Sequence, residues 1–227
     1  MTRNFKSLTL MAGLAATLIA APAVAAVSTV NANYKANYMG MSATGRISVS
    51  AMGGNKYKST LSVSNALGFT SQVTVFDEAH GTLRPLSSTD SNKFMGKKSD
   101  VKANYDWNGG VARWDGDDLS AEKKGPARMQ AGDMDALLLN LAIVRDFAEG
   151  RPLTYRMLEN GKASTLRFTP AGKETVTIGG KTVTATKLVG SGTKSLTVWA
   201  APGYSVPVKI VKAIDMGKLT LTLSSVN

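Results

Sequence analysis

His80, the single histidine of the chain, lies in the polar stretch Glu78-Ala79-His80-Gly81, with Asp77 alongside and Ser87 and Ser88 downstream. A general base, an orienting carboxylate and a hydroxyl nucleophile are the parts of hydrolytic chemistry, and they act only when hydrogen-bonded in series. No motif assembles them. There is no G-x-S-x-G elbow, and no S-x-x-K joined to the other β-lactamase motifs. His80 reads as a surface-loop residue. The run Asp115-Gly116-Asp117-Asp118, with Glu122 beyond, concentrates carboxylates and raises the question of calcium. An EF-hand loop requires glycine sixth and glutamate twelfth. Here they stand second and eighth, so that motif fails, and a different metal geometry stays open. As a glycosidase pair these carboxylates are poorly placed, because the two groups must face each other about 5–10 Å apart across a sugar.

Binding chemistry has better candidates. Lys97-Lys98 and Lys123-Lys124 fall in two stretches without periodicity, Asp77 to Asp100 and Gly116 to Gly132. Both stretches read as surface loops, which are often functional when long. If they converge, the four lysines form a rim for an anionic ligand; otherwise they are solvated charges. Arg128, Arg151, Arg156 and Arg167 are further basic positions. Trp107 and Trp114 flank Asn108-Gly109, and Trp199 follows an alternating run. Such aromatics line acyl cavities or stack on sugars, and otherwise pack in the core.

Composition narrows the classes. The 227 residues carry 27 basic and 16 acidic side chains, a net charge of +11. With 43% hydrophobic residues, a disordered chain is excluded. The lack of cysteine excludes thiol catalysis, zinc-thiolate sites, iron–sulfur clusters and disulfides. A lone histidine excludes multi-histidine metal sites, and no cofactor is expected.

Residues 1–25 read as a secretory signal peptide: Arg3 and Lys6 precede the apolar run Leu8 to Ala20, and Ala23-Val24-Ala25 is an A-x-A cleavage site. The expected mature chain, 26–227, loses two positive charges and retains +9. It has no lipobox cysteine and no later run long enough for a membrane helix, which leaves a soluble periplasmic protein or an outer-membrane β-barrel. The Lys/Thr-rich outward faces, the few aromatics and the ending Ser225-Val226-Asn227 argue against the barrel, so the mature chain is expected to be periplasmic and not membrane-spanning. Its charge suits anionic envelope components or simply solubility, and nucleic acid is not expected.

The elements that must position these residues are mostly strands. Lys56 to Asn65 alternates, with Tyr57, Leu61 and Val63 on one face; Leu196 and Val198, then Leu219, Leu221 and Leu223, do the same. One wet face per strand is the pattern of antiparallel sheet. Asn108-Gly109, Asn160-Gly161 and Gly179-Gly180 are hairpin turns that accept positive φ; Asp215-Met216-Gly217 makes the last turn. Met134 to Ala148 breaks the pattern. Leu137, Leu138, Leu141, Val144 and Phe147 recur at helical spacing, Asp133 is a candidate N-cap, and Gly150 then Pro152 end the helix. Its broad apolar surface makes it a plug, a clasp or a lid. No linker divides the chain, so 26–227 reads as one domain: mainly β, a strongly curved and mostly antiparallel sheet (open barrel or β-spiral-like), with one buried or clasping helix near 134–148.

Several positions together carry a resemblance: Tyr34-x-x-x-Tyr38, Gln130-Ala131-Gly132-Asp133 before the leucine-rich helix, Gly150, Glu174-Thr175-Val176 before Gly-Gly, Trp199-Ala200 and Val206-Pro207-Val208. The chain resembles the DUF3108 family of exported proteins of Gram-negative bacteria. The resemblance implies a β-rich periplasmic domain and brings no active-site residue with it. The expected function is that of a non-enzymatic envelope protein binding an anionic lipid, a glycolipid or an envelope protein. The alternatives are a hydrolase of a cell-envelope substrate and an adaptor that binds protein through a sheet edge. Oligomeric state is not legible.

Overall fold

The computed structural model describes residues 27–38, 40–79, 81–192, 196–214 and 217–227. The signal-peptide reading, His80 and the Asp215-Met216 part of the last turn therefore lie outside the described residues. The first half is a run of strands: β1 (Val30–Tyr38), β2 (Met41–Gly53), β3 (Lys56–Asn65), β4 (Gly68–Ala79), β5 (Thr82–Phe94), β6 (Lys97–Asp106) and β7 (Val111–Asp115). The short helix α1 (Ala121–Lys124), the short strands β8 (Ala127–Arg128) and β9 (Asp133–Met134), and the helix α2 (Ala136–Ala148) follow. The second half comprises β10 (Thr154–Glu159), β11 (Lys162–Ile178), β12 (Lys181–Ser191), β13 (Leu196–Ala200), β14 (Lys209–Ile214) and β15 (Gly217–Val226).

All fifteen strands form one sheet, in the order β8-β7-β6-β5-β4-β3-β2-β1-β15-β14-β13-β12-β11-β10-β9. Every neighbouring pair is antiparallel except β9–β10. The two terminal strands meet at the centre, with Tyr34 opposite Leu223. The two edges, β8 and β9, are separated in sequence only by 129–132, so the sheet must curl until its edges approach. They share no ladder. Side chains bridge the seam instead: Arg156 of β10 reaches the Asp133 carboxylate of β9 and donates to the Arg128 carbonyl of β8 at 3.2 Å. The result is an open, barrel-like sheet.

α2 fills its interior. Nine of its residues are buried, including Leu137, Leu138, Leu139, Leu141 and Ile143, which is how a helix apolar on all sides behaves. It packs against β3, β4 and β5 on one side and β10 and β13 on the other, so it is an internal plug. Its start differs from the sequence reading. The cap is Asp135, whose carboxylate accepts from the Leu138 N–H at 2.8 Å. Asp133 is unavailable: it bridges to β10, and its carboxylate accepts from the Gln130 N–H at 2.8 Å and from Arg156. Gly150, at φ 67°, ends the helix as expected.

The stretch 77–100 is not a loop. It holds the end of β4, all of β5 and the start of β6, and Ser87 to Phe94 pair residue by residue with β6. The Asn160-Gly161 and Gly179-Gly180 turns form as read, all four residues at positive φ. The turn at 107–110 is longer. The Asp106 carboxylate accepts from the Asn108 and Gly109 N–H groups at 3.1 and 2.8 Å, and Gly110 takes the positive φ of 65°. β6 accordingly stops at Asp106, leaving Trp107 in the turn.

Candidate ligand cavity

Between the first turns of α2 and the surrounding strands lies a cavity of about 540 Å³. Ala136, Leu139 and Asn140 of α2 form its floor. Its walls are mainly apolar, with Leu61, Val63, Met157, Leu166, Ile210 and Leu221 from both halves of the sheet. The alternation read in β3 and β15 explains this, since their inward residues are the wall. The remaining lining residues are largely strand ends: Tyr38 of β1, Asn65 and Gly68 at the β3–β4 turn, Phe94 of β5 and Glu159 of β10. The cavity therefore opens where these hairpins turn. The C-terminal end of α2 is held at the other end of the sheet, by the β4–β5 turn. There Arg151 donates to the Gly81 carbonyl at 3.4 Å, and Arg145 lies 3.9 Å from Glu78.

A few polar groups interrupt the apolar lining. Lys93 and Lys212 are its two cations. Lys212 stands opposite Leu196 and Leu219 in the ladders and shares their inward face. At the floor, the Asn140 amide donates to the Ala136 carbonyl at 3.1 Å, while its Oδ1 is buried without a hydrogen-bond partner.

Behind the floor is a second space of about 20 Å³, room for a single water. Gln72, Ala136 and Glu159 line both spaces. Ser88, Asp90, Asp135, Tyr105 and Trp114 are among the other residues of the smaller one. Burial, together with the Asp135 and Glu159 carboxylates, raises the Asp90 carboxyl to about 6, against the opposing effects of Gln72 and Lys212. Burial also raises Asp135, although the Leu138 N–H and the Thr74 hydroxyl both donate to it. The chain thus holds a polar core of carboxyls next to an apolar chamber. That chamber suits an apolar chain with a small polar or anionic head.

A family model described as a protein of unknown function, DUF3108, matches residues 33–224. The chain belongs to the DUF3108 family. The match begins in β1 and ends in β15, so it takes in the whole cavity. Among solved structures, a β-barrel-like protein of the domain of unknown function DUF1849 from Brucella abortus is similar, with a TM-score of 0.54 and 8% identity over 88% of this chain and 97% of that one. At that identity the likeness is one of fold. None of the curated proteins compared with the chain matches it.

Within this DUF3108 chain the residues singled out from sequence scatter around the cavity. Lys97 and Lys98 lie at the β5–β6 turn, beside the mouth but outside its lining, with Lys98 paired to Asp100 at 2.6 Å. Lys123 and Lys124 belong to α1, which rests against the β10–β11 turn, and Lys124 pairs with Asp115 at 3.5 Å. They do not line the cavity either. Trp107 donates its indole N–H to the Pro85 carbonyl at 2.7 Å, under the Arg84 guanidinium. Trp114 packs edge-on to Tyr105 and reaches only the smaller space. Trp199 is buried, donates to Glu174 at 2.9 Å, and has Lys187 and Lys209 over its ring. In the carboxylate run, Glu122 pairs with Lys162, and among the described residues no three acidic or histidine side chains gather as metal ligands.

Proposed function

We propose that the chain is a non-enzymatic periplasmic envelope protein that holds the acyl part of a lipid or glycolipid in the cavity between α2 and the sheet. The observation that carries this reading is the chamber itself. Its 540 Å³ falls within the range of about 300–1,000 Å³ used by small-molecule sites. Its walls are mainly apolar, it opens at one end, and Lys212, on the inward face, is placed to meet an anionic head. Export is supported by the signal-like N-terminus. A sheet-edge adaptor has less support, because each edge strand, β8 and β9, offers a peptide only two residues of ladder.

The test is direct. Protein purified from a periplasmic fraction is analysed by native mass spectrometry and by extraction into organic solvent. A stoichiometric acyl-bearing molecule is expected. Ala43, on the wall, gives the control: Ala43→Trp fills the chamber and should abolish the adduct. An unliganded wild type that also fails to bind a fluorescent fatty-acid probe would overturn the reading.

A further inference from the structure

The mouth of the cavity carries an exposed apolar patch. Among the described residues seven large hydrophobic side chains are exposed, and four of them lie together here: Leu67 (42%), Phe69 (40%), Phe94 (42%) and Met95 (74%). The ladder explains their proximity. Phe94 stands opposite Gly68, Phe69 stands opposite Lys93, and the Met95 N–H donates to the Leu67 carbonyl at 3.1 Å. The Asn65 side chain accepts from the Leu67 and Gly68 N–H groups at 2.9 and 3.2 Å and fixes the β3–β4 turn that presents Leu67. Phe69 and Phe94 also line the cavity, so the patch is continuous with its wall.

Two features are unusual for solvent-exposed turns. Met95 sits at φ 49°, a left-handed conformation that a long side chain adopts at a cost and that Asn or Gly adopts freely. A large apolar residue thus occupies the tip where local propensity favours a small or polar one. Secondly, the patch is bordered by cations. Lys97 lies opposite Phe94 and Lys98 opposite Lys93 across the β5–β6 ladder. Among the described residues neither Lys93 nor Lys97 is in an ion pair; Lys98 is paired with Asp100. Apolar tips ringed by lysines match the two layers of an anionic bilayer surface, where the tips enter the acyl boundary and the ammonium groups meet phosphates. A protein partner would need a shaped recess to receive four protruding side chains, whereas a bilayer needs none.

We propose that the β3–β4 and β5–β6 turns dock the cavity mouth onto an anionic phospholipid bilayer, with Leu67, Phe69, Phe94 and Met95 inserted and Lys93, Lys97 and Lys98 at the headgroups. The orientation rests on the reading of the cavity as an acyl site, since docking in this pose would let a chain pass between bilayer and chamber without crossing water.

The experiment is co-sedimentation of the processed chain, residues 26–227, with vesicles of phosphatidylcholine alone and with phosphatidylglycerol added. The wild type should bind the anionic vesicles, and more weakly as salt rises past roughly 0.1 M. The pair Phe94→Ser with Met95→Asn should lower the partition coefficient about tenfold or more. Both sites are exposed, and Asn suits the Met95 backbone, so circular dichroism and Tm should show an intact fold. The triple Lys93→Gln, Lys97→Gln, Lys98→Gln variant should lose the preference for anionic vesicles. Ala43→Trp should still bind vesicles while losing the fatty-acid probe. Absence of wild-type binding, or equal binding by the folded Phe94/Met95 variant, would overturn the docking proposal. Failure of the probe alone would fall on the cavity reading instead.

Discussion

Thr74 of β4 donates its hydroxyl to the carboxylate of Asp135, the residue that caps α2. Both side chains are buried. One carboxylate therefore serves two purposes: its Oδ1 satisfies the Leu138 N–H and its Oδ2 ties the helix start to the sheet. This places Ala136, Leu139 and Asn140 as the floor of the cavity. Thr74→Val keeps the shape and deletes the donor, and should cost about 1–2 kcal/mol. Asp135→Ala removes the cap as well and should cost about 1–3 kcal/mol. Because both act on one carboxylate, the double variant should be less destabilised than the sum of the two. Urea unfolding of the four proteins checks this, and strict additivity would mean that the two residues do not interact in solution.

Leu138 tests the internal position of α2. Its side chain is fully buried, and Leu138→Ala should lower stability by about 2–5 kcal/mol through lost transfer energy and the cavity left behind. Thermal or chemical unfolding is the measurement. A negligible change would be incompatible with a helix enclosed by strands on two sides.

The sequence patterns that survive in the structure are those with a single physical cause. The Asn160-Gly161 and Gly179-Gly180 turns are legible because both residues of each turn need positive φ. The helix is legible because its apolar residues recur at its own period. β5 was not legible, and the reason lies in what it faces. Ser88 and Asp90 line the small polar space and Asn92 lines the cavity, so the inward face of this strand is polar and the expected alternation disappears. The mouth was missed for the same reason. Lys97 and Lys98 stand out as a pair in the sequence, but Phe94 and Met95 beside them are isolated apolar residues that carry no period. Lys212 was hidden differently: it interrupts the inward face shared with Leu196 and Leu219, which only the ladder register shows. The Asp133 cap failed because the residue does have the right chemistry for a cap, but tertiary pairing to Arg156 takes its carboxylate first.

Arg156 holds the seam of the sheet. Its guanidinium pairs with Asp133, which is wholly buried, and also reaches the Arg128 carbonyl. Breaking a buried pair by removing one partner leaves an uncompensated charge, so Arg156→Ala should cost about 3–5 kcal/mol. Arg156→Met with Asp133→Asn, which removes both charges, should recover part of that. Hydrogen exchange gives the local signature: amides of β8 and β9 should lose protection before those of β1 and β15 at the centre. Uniform loss across the sheet would show that the seam is not where the barrel opens.

Asp90 makes stability depend on pH. In the folded chain its carboxyl is raised to about 6, against 3.8 for an unperturbed aspartate, because it is half-buried and desolvated near the Asp135 and Glu159 carboxylates; Gln72 and Lys212 only partly offset this. Between those two values the folded state binds more protons than the unfolded one. Stability should therefore be highest below about pH 4, fall as pH rises towards 6, and level off above it as far as this group is concerned. Asp90→Asn removes the burden of the buried charge. At pH 7.5 the variant should be more stable than the wild type, by on the order of 1 kcal/mol after allowance for the water that reaches the side chain. At pH 3, below both values, the two proteins should converge, since wild-type Asp90 is then largely protonated in the folded and the unfolded state alike. Asp135, also raised by burial, gives the same sign; because its carboxylate acts on Asp90, the difference between the two proteins reports Asp90 together with its coupling to Asp135. Tm measured in parallel across this range decides the matter. A constant offset at every pH would mean that the substitution acts through packing, and a wild type that gains stability from pH 4 to 6 relative to Asp90→Asn would reverse the sign assigned here.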